Sequence, residues 1–197
     1  RSLITAGACL WYVATASPSR GAAEPFLPAS PIIARDTLAI GDEPLADARS
    51  CLDGLCWEPG EFEVHCTPSP ADRGDLLVRF PSPVPSGVTS NDLVALEWYV
   101  ARDEQQQPRT AHAVVVVHES GSGMTVGRII ARDLRQRGLH AFLIHLPYYG
   151  ERRQPERRPD GGKILTVLRQ AIADVRRARD VVAALPHVDA SRIGLQG

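Results

Sequence analysis

The residues best suited to chemistry follow the most apolar stretch of the chain. Residues 113–117 read Ala-Val-Val-Val-Val, and His118-Glu119-Ser120-Gly121-Ser122-Gly123 comes directly after them. Glycines that follow a strand let backbone N–H groups turn towards a bound anion or a developing oxyanion. This segment therefore predicts a site that stabilises negative charge at the end of a strand.

A second loop of unusual composition follows the apolar residues 140–146. It reads Pro-Tyr-Tyr-Gly over residues 147–150, and its arginines are Arg152, Arg153, Arg157 and Arg158. Tyr148 and Tyr149 suit the lining of an acyl or sugar pocket, and a packed aromatic loop is the equal alternative. The arginines could attract an anionic substrate, but we favour a solvated charged loop.

The elements that position these loops are readable from apolar periodicity. Residues 113–117 and 140–146 are apolar without alternation, which is typical of strands buried on both faces of a parallel sheet. Residues 124–137 and 162–185 carry apolar side chains at helical spacing, and residues 191–197 begin another strand. The order strand, helix, strand, helix, strand predicts right-handed crossovers with helices on the sheet faces.

Ligands of open parallel sheets bind outside the carboxyl ends of the strands. The loops after Val117, Leu146 and Gly197 are therefore expected to meet at one edge. His140 and His145 lie on one strand with opposite parity, so we expect them on opposite faces, where they cannot share a metal ion. The longer helix has a predicted apolar stripe of Ile164, Leu168, Ala171, Ile172, Val175, Ala178 and Val182.

The N-terminal third is organised differently. Residues 61–66, 75–80 and 92–101 are strand candidates separated by proline-containing turns and loops. Residues 24–60 are rich in proline and alanine and show no sustained period, so they are interpreted as an extended lead-in.

Three segments, in this order, resemble the α/β-hydrolase superfamily and most of all its esterase and dienelactone-hydrolase-like branch. They are Val-Val-Val-Val-His-Glu-Ser-Gly-Ser-Gly at 114–123, His-Leu-Pro-Tyr-Tyr-Gly-Glu-Arg-Arg at 145–153 and Val-Asp-Ala-Ser-Arg-Ile-Gly-Leu-Gln-Gly at 188–197. The resemblance implies an α/β class and a partial α/β-hydrolase fold over residues 61–197. It implies a mostly parallel sheet, an antiparallel N-terminal strand pair and helices on both faces.

The same resemblance implies roles for individual residues. The backbone N–H of Ser120 would contribute to an oxyanion hole, with His118, Glu119 and Gly121 as supporting residues. Gly197 would be the first glycine of the Gly-x-Ser-x-Gly nucleophile elbow. The serine, acid and histidine of the triad would then lie beyond residue 197, so the 197-residue chain alone is expected to be inactive.

Within this family likeness, two interpretations of Glu119 stay open. It is either an orienting or proton-handling group near the nucleophile or, as we favour, an edge carboxylate paired with Arg152 or Arg153. The implied substrate is a small-molecule carboxylic ester. No cofactor and no metal ion are implied.

Composition excludes several classes of protein. The chain has 197 residues, of which 44% are hydrophobic, and a formal net charge of −1. These values indicate a globular domain and argue against a nucleic-acid coat or a polybasic membrane binder. No apolar run reaches the roughly 20 residues that a membrane-spanning helix needs.

The N-terminus suggests export. Residues 1–23 combine an initial Arg1, an apolar stretch and small-residue triplets, which resembles a signal peptide whose start is missing. Export is therefore predicted, to the periplasm or the exterior, with Cys9 as a less favoured lipid-anchor site. Cys51, Cys56 and Cys66 would remain; either Cys51 and Cys56 close a small disulfide loop or all three are free thiols.

Two other functions compete with the esterase. Gly121, Gly123 and Gly127 after a buried strand superficially fit a dinucleotide-binding loop, but the following strand ends without the acidic residue that would hold a ribose. A non-catalytic extracellular binding domain of hydrolase ancestry would have the same sequence features up to Gly197.

Overall fold

The computed structural model describes residues 26–38, 44–52, 54–70, 72–119, 121, 123–153 and 164–197. The strands are β1 (Ile32–Arg35), β2 (Glu61–Pro68), β3 (Leu76–Pro81), β4 (Leu93–Tyr99), β5 (Ala111–Val117), β6 (His140–Ile144) and β7 (Val188–Gln196). The helices are α1 (Ala46–Leu52), α2 (Thr89–Asp92), α3 (Thr125–Gln136) and α4 (Ile164–Ala184), and Gly150–Arg152 form a 3₁₀ turn.

The strands form one mixed sheet in the order β1-β2-β3-β4-β6-β5-β7. The first four pairs in this order are antiparallel, and only β5 with β6 and β5 with β7 are parallel. The α/β class is confirmed, whereas the prediction of a mostly parallel sheet is wrong. Parallel neighbours need a long crossover connection, and among the described residues only α3 and α4 provide one.

Helices cover both faces of the sheet. Successive side chains of a strand point to opposite sides, so the apolar strands β5 and β6 present apolar side chains on both faces. On one face Val115 and Phe142 join a core that includes Ala178 and Val182 of α4. On the other face Val116 and Leu143 pack with Met124 and with Ala131 of α3. The two helices that connect the parallel strands, α3 and α4, therefore form the helix layers on the two faces of the sheet.

The orientation of α4 differs from the predicted stripe. Ile164, Leu168 and Ile172 are about half exposed, whereas Gln170 and Asp174 are buried. The C-terminal part of the stripe, with Ala178 and Val182, does face the core. Buried polar groups need hydrogen-bond partners. Gln170 and Asp174 have such partners beneath the N-terminal half of α4, so this part of the helix buries polar side chains.

The N-terminal segments fall only partly within the described residues. Residues 1–23, the predicted signal peptide, lie outside them. The segment interpreted as an extended lead-in includes the edge strand β1, which pairs with β2, and the short helix α1. No helix in the described part of the chain is both long and apolar enough to cross a bilayer.

The three described cysteines are free thiols. Cys51 is exposed, Cys56 is partly buried and Cys66 is buried. Of the two interpretations, the structure therefore has the free thiols. Burial raises the pKa of Cys66 to about 11, so this thiol stays protonated at neutral pH.

Candidate functional site

Three strand ends meet at one edge of the sheet. Val117 of β5 is in register with Ile144 of β6, and Val116 is in register with Gln196 of β7. An ideal Cβ on Gly197 would lie 3.5 Å from the Cβ of Val117. The predicted meeting of the three carboxyl ends is therefore confirmed, and we call this edge the tip edge.

His118 ties two loops of the tip edge together. Its Nε2 accepts the backbone N–H of Leu146 at 3.3 Å, so Nδ1 carries the hydrogen and donates to the carbonyl of Glu119. The ring also packs edge-on against Tyr149, with 4.7 Å between centroids. Burial lowers the pKa of His118, and the imidazole is therefore a neutral structural link at neutral pH.

Glu119 caps helix α3. Its two carboxylate oxygens accept the backbone N–H groups of Val126 and Gly127, each at 3.2 Å. Desolvation alone would raise the pKa of Glu119, but backbone hydrogen bonds outweigh it and lower that pKa. The favoured pairing with Arg152 or Arg153 is wrong, because free N–H groups at a helix N-terminus attract the carboxylate instead.

The remaining residues of the predicted oxyanion loop are described in part. Ser120 and Ser122 lie outside the described residues, so the role of the Ser120 N–H stays a prediction. The carbonyl of Gly121 accepts the N–H of Met124 at 3.0 Å, which closes the turn before α3. Gly197 is exposed after β7, and its predicted place in a nucleophile elbow also stays a prediction.

A buried carboxylate behind the tip edge was missed by the sequence analysis. Glu97 in β4 accepts hydrogen bonds from Arg128 at 2.6 Å, from the Tyr99 hydroxyl at 2.9 Å and from Nε2 of His145 at 3.2 Å. Nδ1 of His145 accepts the N–H of Glu151, so the ring hydrogen is on Nε2. The signal was present as one glutamate inside the apolar run of residues 93–101.

The electrostatics of this cluster keep Glu97 ionised. Burial by itself raises the pKa of Glu97, but hydrogen bonds from His145 and Arg128 outweigh it and lower the pKa to about 2. The pKa of Tyr99 shifts in the opposite direction, because burial and the neighbouring carboxylate raise it. A carboxylate so fully used by donors is a structural anion and a poor proton carrier.

A second buried network holds the loop after β6. Arg152 is fully buried, lies 2.8 Å from Asp174 of α4 and donates to the backbone oxygens of Asn91 and His145. Asp174 also accepts the hydroxyl of Ser82 at 2.6 Å. The interpretation of the arginine segment as a solvated loop is therefore wrong for Arg152, because a buried carboxylate is available to pair with it.

His140 of β6 and His145, which directly follows β6, lie as expected from their parity. His140 lies on the Trp98 face, where Nδ1 accepts the Trp98 indole N–H at 3.1 Å, and His145 lies on the opposite, Glu97 face. Within the described ranges, no group of three or more His, Cys, Asp or Glu side chains is placed to hold a metal ion.

No protein-family model matches this chain, and no curated protein is significantly similar to it. The function is therefore inferred from the contacts at the tip edge and from the resemblance in the sequence.

Proposed function

We propose that this chain forms the N-terminal part of an exported serine hydrolase that cleaves carboxylic esters. The observation that carries the proposal is the meeting of three parallel strand ends at the tip edge. Open α/β sheets bind their ligands at such an edge. His118 supports the proposal, because it fixes the loop that would present the oxyanion donor against the loop after β6.

In the proposed reaction the N–H of Ser120 stabilises the oxyanion, and a serine that follows Gly197 in the full-length protein is the nucleophile. Its oxygen attacks the ester carbonyl carbon while a histidine accepts the hydroxyl proton. The tetrahedral oxyanion then collapses, the bond to the alcohol oxygen breaks, and the histidine gives its proton to the leaving alcohol. Water hydrolyses the acyl-enzyme by the same sequence of steps.

The buried histidines of this chain do not suit the role of that base. Nε2 of His118, Nδ1 of His140 and Nδ1 of His145 each accept a backbone N–H group. The other ring nitrogen of each imidazole faces a carbonyl or a carboxylate. Both nitrogens of each imidazole are therefore engaged by groups of the fold and not by a serine hydroxyl, so we expect the catalytic histidine elsewhere.

The dinucleotide-binding alternative loses support at the start of α3. A pyrophosphate would need free N–H groups at that helix N-terminus. The carboxylate of Glu119 accepts two of these N–H groups, and its negative charge lies close to Gly121. The non-catalytic binding domain stays as the second candidate, because a domain of hydrolase ancestry would have the same meeting of strand ends at the tip edge.

Labelling with a fluorophosphonate probe tests the proposal. We expect the product of the full open reading frame to form an adduct on a serine that follows Gly197, and to hydrolyse p-nitrophenyl acetate. Replacement of that serine by alanine should abolish both. The loss in turnover should be several orders of magnitude, because the residual rate then comes from binding and the oxyanion hole alone.

The 197-residue chain is the matched control, and it should show neither an adduct nor serine-dependent turnover. An adduct on Ser120 or Ser122 would contradict the assigned roles. A folded full-length protein without a reactive serine would overturn the esterase and favour the binding domain.

A further inference from the structure

A cavity at the far end of α3 from the tip edge carries chemistry that the esterase does not use. Its volume is about 510 Å³, and its lining includes Tyr99 at the end of β4 and Gln136 at the end of α3. Three guanidinium groups line it, those of Arg102, Arg132 and Arg135. Because α3 begins near the tip edge and ends here, this cavity is separate from the proposed ester site.

Asp75 organises two of these guanidinium groups. Its Oδ1 lies 3.1 Å from Nη2 of Arg102, and its Oδ2 lies 3.5 Å from Nη1 of Arg135. The carboxylate is itself fixed by the backbone N–H of Val100, which donates to Oδ2 at 2.8 Å. One carboxylate that is shared by two guanidinium groups neutralises at most one of them.

Arg132 adds a further positive charge. Its Nη2 donates to the backbone carbonyl of Asp72 at 2.8 Å, and among the described residues it makes no ion pair with a carboxylate. Three guanidinium groups therefore face the carboxylates of Asp72 and Asp75, and positive charge is in excess. Arginines held in place before binding offer paired N–H donors in the geometry that phosphate accepts.

We propose that this cavity binds a phosphorylated sugar or polyol. The phosphate is a dianion at neutral pH, and it lies between Arg132 and Arg135, which line the cavity and carry more N–H donors than Asp72 and Asp75 accept. The hydroxyl groups of the ligand lie towards Asp72, Gln106 and Gln136, because carboxylate and amide groups pair with hydroxyls. A free phosphate ion would fill only a small part of the volume.

Titration calorimetry of the 197-residue chain tests this at low ionic strength with three probes: glucose 6-phosphate, inorganic phosphate and glucose. We expect saturable binding of glucose 6-phosphate, binding of inorganic phosphate that is about tenfold weaker, and none of glucose. Affinity should fall as salt is added, because salt screens the charges at this open cavity. If inorganic phosphate binds as tightly as glucose 6-phosphate, the sugar part of the ligand adds nothing to binding. That result would overturn the assignment of a phosphorylated sugar.

Variants locate the site. Arg132→Gln and Arg135→Gln should each weaken binding of glucose 6-phosphate about tenfold or more, and Arg132→Lys should lose less, because it keeps the charge without the paired donors. The matched control is Arg137→Gln, which removes an exposed arginine just past the end of α3 that pairs with Asp133 outside the cavity lining. Equal losses of affinity in all variants, including the control, would overturn the proposal. So would the absence of saturable binding of glucose 6-phosphate.

Thermal melting without ligand accompanies each titration. Arg132 and Arg135 lie at the surface, so we expect the variants to melt within a few degrees of the parent chain. If one glutamine variant melts much lower, the lysine variant at the same position, Arg132→Lys or Arg135→Lys, is titrated in its place. An unchanged affinity in that lysine variant and in the remaining glutamine variant would contradict the site.

Discussion

Each of the three buried histidines accepts a backbone N–H through one ring nitrogen. His118 accepts that of Leu146, His140 that of Ala101 and His145 that of Glu151. In His118 and His140 a proton placed on that nitrogen would break the bond and leave a backbone donor without its acceptor. These residues therefore fix loops against strands, and Glu97 anchors the same region through Arg128.

Glu97→Gln tests the contribution of the buried carboxylate. The change keeps the shape of the side chain but removes the anion that Arg128 and His145 face. Breaking a buried charge pair leaves its partner uncompensated, so we expect a loss of about 3 kcal/mol in the free energy of unfolding. Urea denaturation measures this loss.

The matched control for that variant is Glu63→Gln. Glu63 also lies on a strand, but its side chain is 61% exposed, and exposed ion pairs contribute little. We expect a change below about 0.5 kcal/mol. A loss in Glu97→Gln no larger than in the control would show that the cluster does not stabilise the fold.

Stability should fall as the pH is lowered from about 7.5 to about 5. Burial lowers the pKa of His118 and of His140, so the unfolded chain takes up protons first as the pH drops below the ordinary histidine value of about 6.5. The stabilisation from Glu97 is complete above its ordinary value of 4.5 and is lost as the pH falls from there towards 2. Both contributions have the same sign.

His140→Gln measures the histidine contribution. The variant removes one titrating group, so the slope of unfolding free energy against pH between about 7.5 and 5 should decrease, by at most about 1.4 kcal/mol per pH unit. Urea denaturation at several pH values gives the slope independently of the absolute stability of the variant. A slope equal to that of the parent chain would contradict the linkage to His140.

At the scale of elements, α3 is held unusually close to the sheet at its first turn. An ideal Cβ on Gly127 would lie 2.6 Å from Cδ1 of Leu143 and 3.0 Å from Cβ of His118. The N–H of the same glycine donates to the carboxylate of Glu119. The absence of a side chain at Gly127 therefore lets the helix start directly against the loop that carries His118 and Glu119.

Gly127→Ala should destabilise the protein although alanine is the better helix former. Overpacking against Leu143 and His118 is expected to cost about 1–3 kcal/mol, which exceeds the gain in helix propensity of about 1 kcal/mol. Gly60→Ala is the control, because nothing lies within 4 Å of its ideal Cβ. Chemical denaturation that ranks the two variants equally, or Gly127→Ala above the parent, would refute the close approach.

At the scale of the whole molecule, the tip edge and the arginine-lined cavity lie at opposite ends of α3. The tip edge gathers the ends of β5, β6 and β7, and the arginine-lined cavity lies beyond the end of α3. On the opposite face of the sheet, which α4 covers, Leu168, Ile172 and Leu195 are exposed. Within the described part of the sheet β7 pairs only with β5, so its other side presents unpaired backbone groups.

The 197-residue chain should therefore self-associate as its concentration rises. Leu195→Lys places a charge on the edge strand and should shift the chain towards the monomer in light scattering. Ile129→Lys is the control, because it replaces an equally exposed apolar residue on α3, away from that edge. A chain that stays monomeric, or that responds equally to both variants, would rule out association through β7.

The sequence by itself determined most of the elements from residue 61 onwards and the common direction of the last three strands. The β-branched run of residues 113–117, the helical spacing of residues 124–137 and the glycine at 138 place β5 and α3 within two residues of their observed ends. The alternation of strand and helix likewise places the ends of β5, β6 and β7 together. These features depend on residues that are close together in the sequence. Apolar periodicity and turn residues are therefore enough to predict them.

Only the tertiary structure decided which strands are neighbours and which charges are paired. The antiparallel pairing of β4 with β6 gives Glu97 its partner His145, and the packing of α4 pairs Asp174 with Arg152. Asp75 meets Arg102 and Arg135 in the same way. Such contacts join residues that are far apart in the chain, and their free energy depends on burial and on the partner together, which no local pattern encodes.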